Sequence, residues 1–161
     1  MGALILIAVG TLVGYVESHR LTMRVEQLEA FLRFLSAAQT EIRFAALPVE
    51  QIVQRHGGEM EFLKICGEQC KSGGSFLSAW NSGIRLGTKD RGFLSGDINL
   101  LQGFGNGFGA SDTEGQLSHC ALYSSLINES LKSAREEKNR KSKLYQILGI
   151  FSGMATALLL C

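Results

Sequence analysis

Apolar residues recur along this chain at helical spacing, and near both ends the alternation gives way to uninterrupted apolar runs. Leu21, Val25, Leu28, Leu32, Leu35 and Ile42 follow one another at intervals of three, four or seven, with Arg24, Glu29, Arg33, Gln39 and Arg43 mostly on other faces. The spacing predicts a long helix over Leu21–Ala45 that continues out of the apolar run before it. Pro48 stops that helix and suits the first turn of the next, PVEQIVQR, which ends at Gly57 and Gly58. Short helices are then predicted from about Glu59 to Cys70, from Ser75 to Ile84 with Trp80, and from Ser95 to Phe104 with Ile98 and Leu101 toward the core. The stretch LLQGFGNGFGASD reads as a glycine-rich turn, in which Gly105 and Gly109 accompany the core anchors Phe104 and Phe108. A last helix starts there: Ser111 and Glu114 fit a capping box, and Asp112 adds negative charge at the positive end of the helix dipole. Read without a break from Asp112 to Cys161, it is roughly 75 Å long at 1.5 Å per residue, more than a domain of this size can bury. Its stripe of Cys120, Ile127, Leu131 and Ala134 can pack on the first long helix.

The pattern predicts an all-α protein, a helical bundle whose first and last long helices continue into two transmembrane helices. The divisions are 1–17 for the first span, 18–143 for the central domain and 144–161 for the second span. The run Gly2–Val16 is short for a bilayer, which takes about 20 residues. As a signal peptide, however, it lacks a cationic region before its apolar core, so an uncleaved span is expected. Arg20 and Arg24 follow the first span, while Lys138, Arg140, Lys141 and Lys143 precede the second. Basic flanks stay in the cytoplasm, which places the central domain there and both termini outside. Gly10 and Gly14, and likewise Gly149 and Gly153, lie four apart, a spacing that lets membrane helices approach closely.

Composition narrows the chemistry. A net charge of +1 excludes bulk attraction to nucleic acid. The mean hydropathy of +0.11 suits two apolar ends around a polar middle, and one Pro with 19 Gly suits short helices joined by tight turns. Cys66 and Cys70 share a helix face, and His119 with Cys120 would complete a four-ligand zinc set on paper. Nothing in the spacing requires such a set, and free cysteines are common in cores. GFGNGFG lacks the Lys-Ser/Thr and the strand-helix context of a phosphate loop. The three His are scattered away from any paired Ser or Cys. No catalytic, cofactor or metal residue is therefore assigned. Glu41, Arg85, Lys89 and Asp90 remain as exposed polar candidates for contact with a partner protein.

Several stretches go beyond periodicity. GAL with the following glycines, Arg24-Val25, Gln27-Leu28, Glu41-Ile42 and Pro48 come first; Trp80, Asp97 and Leu101 lie in the centre; FGNGFGASD with Gln116, then KLYQILGIFSG, close the chain. Together they resemble the stage III sporulation protein AB family of endospore-forming bacteria nearly end to end, with Phe44 in place of Tyr and Phe108 in place of Leu. The resemblance implies a non-enzymatic platform or adaptor subunit of a channel-like assembly between mother cell and forespore. It implies residence in the mother-cell membrane around the forespore, and a helical domain similar to the inner-membrane platform protein of type II secretion and type IV pilus systems. The partners implied are a secretion-type ATPase, other stage III sporulation membrane proteins and the lipid bilayer; self-association is left open. Two other readings compete, a membrane-anchored thiol or zinc protein using Cys66, Cys70 and Cys120, and a general secretion platform outside sporulation.

Overall fold

The protein is described by a computed structural model that covers the backbone of residues 2–160 and the side chains of residues 16–141, 143 and 144. Among the described residues the chain is wholly helical: α1 (Gly2–Phe44), α2 (Val49–His56), a 3₁₀ turn (Gly57–Glu59), α3 (Glu61–Lys71), α4 (Phe76–Gly87), α5 (Ser95–Gly107) and α6 (Thr113–Leu160). Gly10, Gly14, Gly149 and Gly153 lie outside the described side chains. Among the described residues, no helix carries a segment long and apolar enough to cross a membrane.

α1 and α6 form an antiparallel pair. Three cross-helix ion pairs set its register: Glu17 with Lys141 at 2.7 Å, Arg24 with Glu137 at 3.8 Å and Glu29 with Arg135 at 2.6 Å. The predicted stripes supply the seam. Leu28, Leu35 and Ile42 from α1 meet Cys120, Ile127, Leu131 and Ala134 from α6, all buried in one core. Leu32, placed in the stripe by spacing, is only half-buried, while Phe31, Phe34 and Ala38 are buried beside it. The apolar face of α1 is therefore wider than one seam, because α1 packs on α6 and also on the layer formed by α2–α5.

That second layer is organised by Trp80. Its ring centroid lies 5.4 Å from Phe62, 5.6 Å from Phe76 and 5.6 Å from Phe104, and its Nε1 donates to the Leu101 carbonyl at 2.9 Å. The hydrogen bond satisfies the one polar atom of a fully buried indole. Residues Gly103–Gly107, expected to turn, are instead the last turns of α5. The reason is close approach. A Cβ on Gly105 would come within 2.2 Å of the Trp80 ring, and one on Gly107 within 2.3 Å of His119. The glycines trade helix propensity for contact on two sides. The turn begins only at Phe108, and Gly109 adopts φ +89° to make it.

Other boundaries shift for similar reasons. α4 runs past Ile84 to Gly87 because Gly83 and Gly87 let its backbone ride on Phe62 of α3. α3 starts at Glu61 rather than Glu59, after Met60 takes an extended conformation with its side chain buried. Pro48 stands one residue before α2, where its carbonyl accepts from Gln51 and Ile52. The capping box at the start of α6 is corrected as well. Asp112 is the cap, its Oδ1 accepting from the Gly115 amide at 2.9 Å, while the Ser111 hydroxyl reaches the Asp112 carbonyl at 3.5 Å. An Asp in the cap position places its carboxylate over the free amides and leaves Glu114 exposed and without a capping role.

These contacts separate two glycines of α5. Gly105→Ala gains helix propensity of about 1 kcal/mol yet forces a methyl into Trp80, so a net loss of roughly 1–3 kcal/mol is expected. Gly96→Ala meets open space and is expected to stabilise by up to about 1 kcal/mol. Chemical denaturation of the two variants should give opposite signs.

Candidate interaction surface

Arg24 occupies an inward position of α1, between Leu21 and Leu28, and is 5% exposed. A guanidinium there needs partners, and it has them. Its Nε donates to Asp97 Oδ2 at 2.8 Å and its Nη2 to Asp97 Oδ1 at 3.0 Å, a bidentate pair. Asp97, itself 1% exposed, also accepts from the Leu94 amide at 2.9 Å. It therefore caps α5 from within the helix while holding α1. Glu137 of α6 lies 3.8 Å from the other arm of the guanidinium. One cation thus ties α1, α5 and α6 together at one level of the bundle.

The segment between α4 and α5 is fastened to that level. Thr88 is buried, and its Oγ1 donates to the Ile84 carbonyl at 2.7 Å. Gly92, at φ +82°, lies so close to α1 that a Cβ would stand 2.6 Å from the Arg20 carbonyl and 2.8 Å from the Arg24 nitrogen. Between these fixed points Lys89, Asp90 and Arg91 are exposed, with Asp90 in the left-handed region at φ 55°. Alongside runs an open groove of about 850 Å³ between α4 and α5, with Arg85, Lys89 and Asp90 on one wall and Ile98 and Gln102 on the other. Among the residues lining it, Asp90 is the one carboxylate and there is no His or Cys. Such a groove can hold a polypeptide or a headgroup by charge and hydrogen bonding.

Of the four candidate contact residues, the structure brings Arg85, Lys89 and Asp90 together and leaves Glu41 elsewhere. Glu41 lies near the opposite end of α1. Its Oε1 meets His56 Nε2 at 2.8 Å and Arg55 Nη1 at 3.1 Å, which makes it a bond between α1 and α2. Those two partners, His56 first, hold its carboxyl below the ordinary glutamate range. Beyond it, Phe44 is 80% exposed.

Among the described residues the cysteines are not gathered into a metal-ligand cluster. Cys66 is buried against Gly83, and burial pushes its thiol far above the ordinary range; Cys120 is pushed up to about 11 by burial. Burial raises Cys70 as well. A protonated thiol is a poor ligand and a poor nucleophile. His119 is engaged elsewhere, with its Nε2 at 2.9 Å from the Phe104 carbonyl and its ring stacked on Phe104. No group of three or more His, Cys, Asp or Glu able to hold a metal occurs among the described residues.

Sequence reasoning missed the role of Arg24, which it placed among the membrane-flanking charges. The signal was its register, since a charge between Leu21 and Leu28 on the apolar stripe demands a buried counter-charge. Gln116 was noted without a role as well. Its Oε1 accepts from the Gly109 amide at 3.1 Å and its Nε2 donates to the Ser111 carbonyl at 3.2 Å, closing the loop before α6.

The contacts that carry this architecture join Arg24 of α1, Asp97 of α5 and Glu137 of α6, so they draw on most of the length of the chain. A family model described as Stage III sporulation protein AB (spore_III_AB) matches residues 1–161. The chain belongs to the stage III sporulation protein AB family. Membership gives it a role in sporulation. A solved structure titled "Stage III sporulation protein AB (SpoIIIAB)" is similar at a TM-score of 0.66 and 18% identity, covering 73% of this chain and 98% of that one. At that identity the likeness shows the shared fold. No curated protein sequence matches the chain.

Two outcomes are expected from this family member's polar contacts. Removing one side of the buried pair, as Arg24→Met or Asp97→Leu, should cost about 3–5 kcal/mol, because the other charge stays buried without its bidentate partner. The double replacement should cost much less than the sum of the two, which a double-mutant cycle by denaturation measures. For Glu41, whose carboxyl is held down in the folded state, the stabilising contribution is present above the ordinary glutamate value of 4.5 and is lost as the pH falls through the lower folded value. The melting-temperature gap between the parent chain and Glu41→Gln should therefore close on acidification below that point.

Proposed function

We propose that this chain is a membrane-anchored platform subunit of the channel-like assembly between mother cell and forespore, coupling a cytoplasmic secretion-type ATPase to membrane components without chemistry of its own. The observation that carries this reading is the antiparallel α1–α6 pair. Its ion pairs run from Glu29 with Arg135 to Glu17 with Lys141, and the two uninterrupted apolar runs of sequence begin just beyond the last of them. Both runs therefore leave the same end of the domain, as two spans in one bilayer require. The basic residues on their inner sides favour a cytoplasmic domain in the mother cell, facing the membrane around the forespore. Gly10, Gly14, Gly149 and Gly153 would let the spans pack on each other or on other stage III membrane proteins.

A motor in the cytoplasm approaches such a domain from the end away from the bilayer. Phe44 is 27 residues along α1 from Glu17, about 40 Å at 1.5 Å per residue. It stands there 80% exposed, next to the Glu41 cluster. Arg85 and the α4–α5 groove give a second wall along the side. Lys89 and Asp90 belong to the membrane-proximal end, since their segment packs on Arg20 and Arg24.

The test is equilibrium binding between the full chain, held in lipid nanodiscs, and a secretion-type ATPase from the same cell. Phe44→Asp, a change at an exposed position, should weaken binding at least tenfold while the helical signal is unchanged. Saturable binding that survives Phe44→Asp and Arg85→Glu together would remove both docking surfaces, the far end and the side wall. No binding by the parent chain would remove the motor coupling.

A further inference from the structure

The segment Thr88–Leu94 is held more firmly than a connection between two helices requires. Thr88 is bonded into α4, Asp97 is bonded to Arg24, and Gly92 presses on the α1 backbone between Arg20 and Arg24. This fastening places the segment three to seven residues of α1 from Glu17, about 5–10 Å along the axis at 1.5 Å per residue. Glu17 marks where the first apolar run ends. If the two apolar runs are spans, as proposed above and as this inference requires, the segment lies at the depth of the headgroups.

Its side chains suit that position. Lys89 and Arg91 are exposed on either side of Asp90, and Leu86 and Leu94 flank them at 50% and 39% exposure. Neither Lys89 nor Arg91 has an ion-pair partner among the described residues, unlike Arg24 and Lys141 at the same end. Arg20, Arg140 and Lys143 are exposed on the helices nearby. Cations beside apolar side chains at an interface match an anionic bilayer surface: the charges meet phosphates, and the leucines meet the acyl boundary.

We infer that the α4–α5 segment is a third membrane contact of the domain, in which Lys89 and Arg91 bind the headgroups of anionic phospholipids. It restricts the tilt of the domain against the bilayer by adding a third point of contact beside the two spans. One side of the bundle is then held to the bilayer, and the far end faces the cytoplasm in one orientation.

Hydrogen–deuterium exchange on the full chain tests this. The chain is reconstituted in nanodiscs of phosphatidylcholine alone and of phosphatidylcholine with about one third phosphatidylglycerol. Each cation near an anionic surface contributes on the order of fivefold to local association. Amides of residues 89–93 should therefore exchange about five- to twentyfold more slowly in the anionic discs, with residues 44–47 unchanged as an internal control. The difference should vanish in Lys89→Glu/Arg91→Glu, each protein being compared with itself in the two lipids, and should shrink in high salt. Equal exchange in both lipids, with the chain resistant to alkaline carbonate extraction, overturns the inference and leaves the two-span reading standing. Equal protection by inorganic phosphate over phosphatidylcholine discs also overturns it, by making the ligand a free anion. Extraction of the parent chain by carbonate removes the two-span reading and the inference with it.

Discussion

A buried arginine sets the geometry of this domain. Taking a guanidinium and a carboxylate out of water is costly, and their attraction offsets that cost only when the hydrogen bonds are well made. Arg24 and Asp97 meet the condition with two parallel bonds, and Asp97 spends its remaining capacity on the Leu94 amide. An apolar pair could supply comparable stability. What the ion pair adds is register: α5 can sit against α1 at one height and in one rotation, because any slip leaves two charges buried without partners. Glu137 extends the same restriction to α6.

The rest of the second layer follows from that placement. With the start of α5 tied to α1, its glycine-rich end lies where Trp80 on one side and His119 on the other both press against its backbone. Trp80 in turn gathers the phenylalanines of α3, α4 and α5. The polar groups involved are satisfied; no buried side-chain nitrogen or oxygen among the described residues lacks a partner. The short helices thus form one layer packed on the two long helices.

Burial raises all three described cysteines and keeps their thiols protonated at neutral pH in the folded chain. Cys66 and Cys70 share a face, as their spacing requires, but that face is turned toward α4 and the core.

The sequence by itself determined the helical class, the two long helices, the apolar seam between them and the approximate number of short helices, because 3.6-residue periodicity and Pro or Ser-Gly punctuation are local properties. It also carried the family, through motifs that survive as strings of letters. The tertiary structure decided what those letters do. Glycines at 103, 105 and 107 read as a turn because glycine is locally permissive, yet Trp80, Tyr123 and His119 need the space of the missing Cβ atoms within a helix. Arg24 reads as a surface charge until Asp97, 73 positions away, is beside it. Glu41 and Lys89 are equally polar on paper, and only the packing of α2 and of Gly92 assigns them to opposite ends of the short-helix layer. Local pattern follows from short-range sterics; partnership between distant residues depends on where the folded backbone brings them.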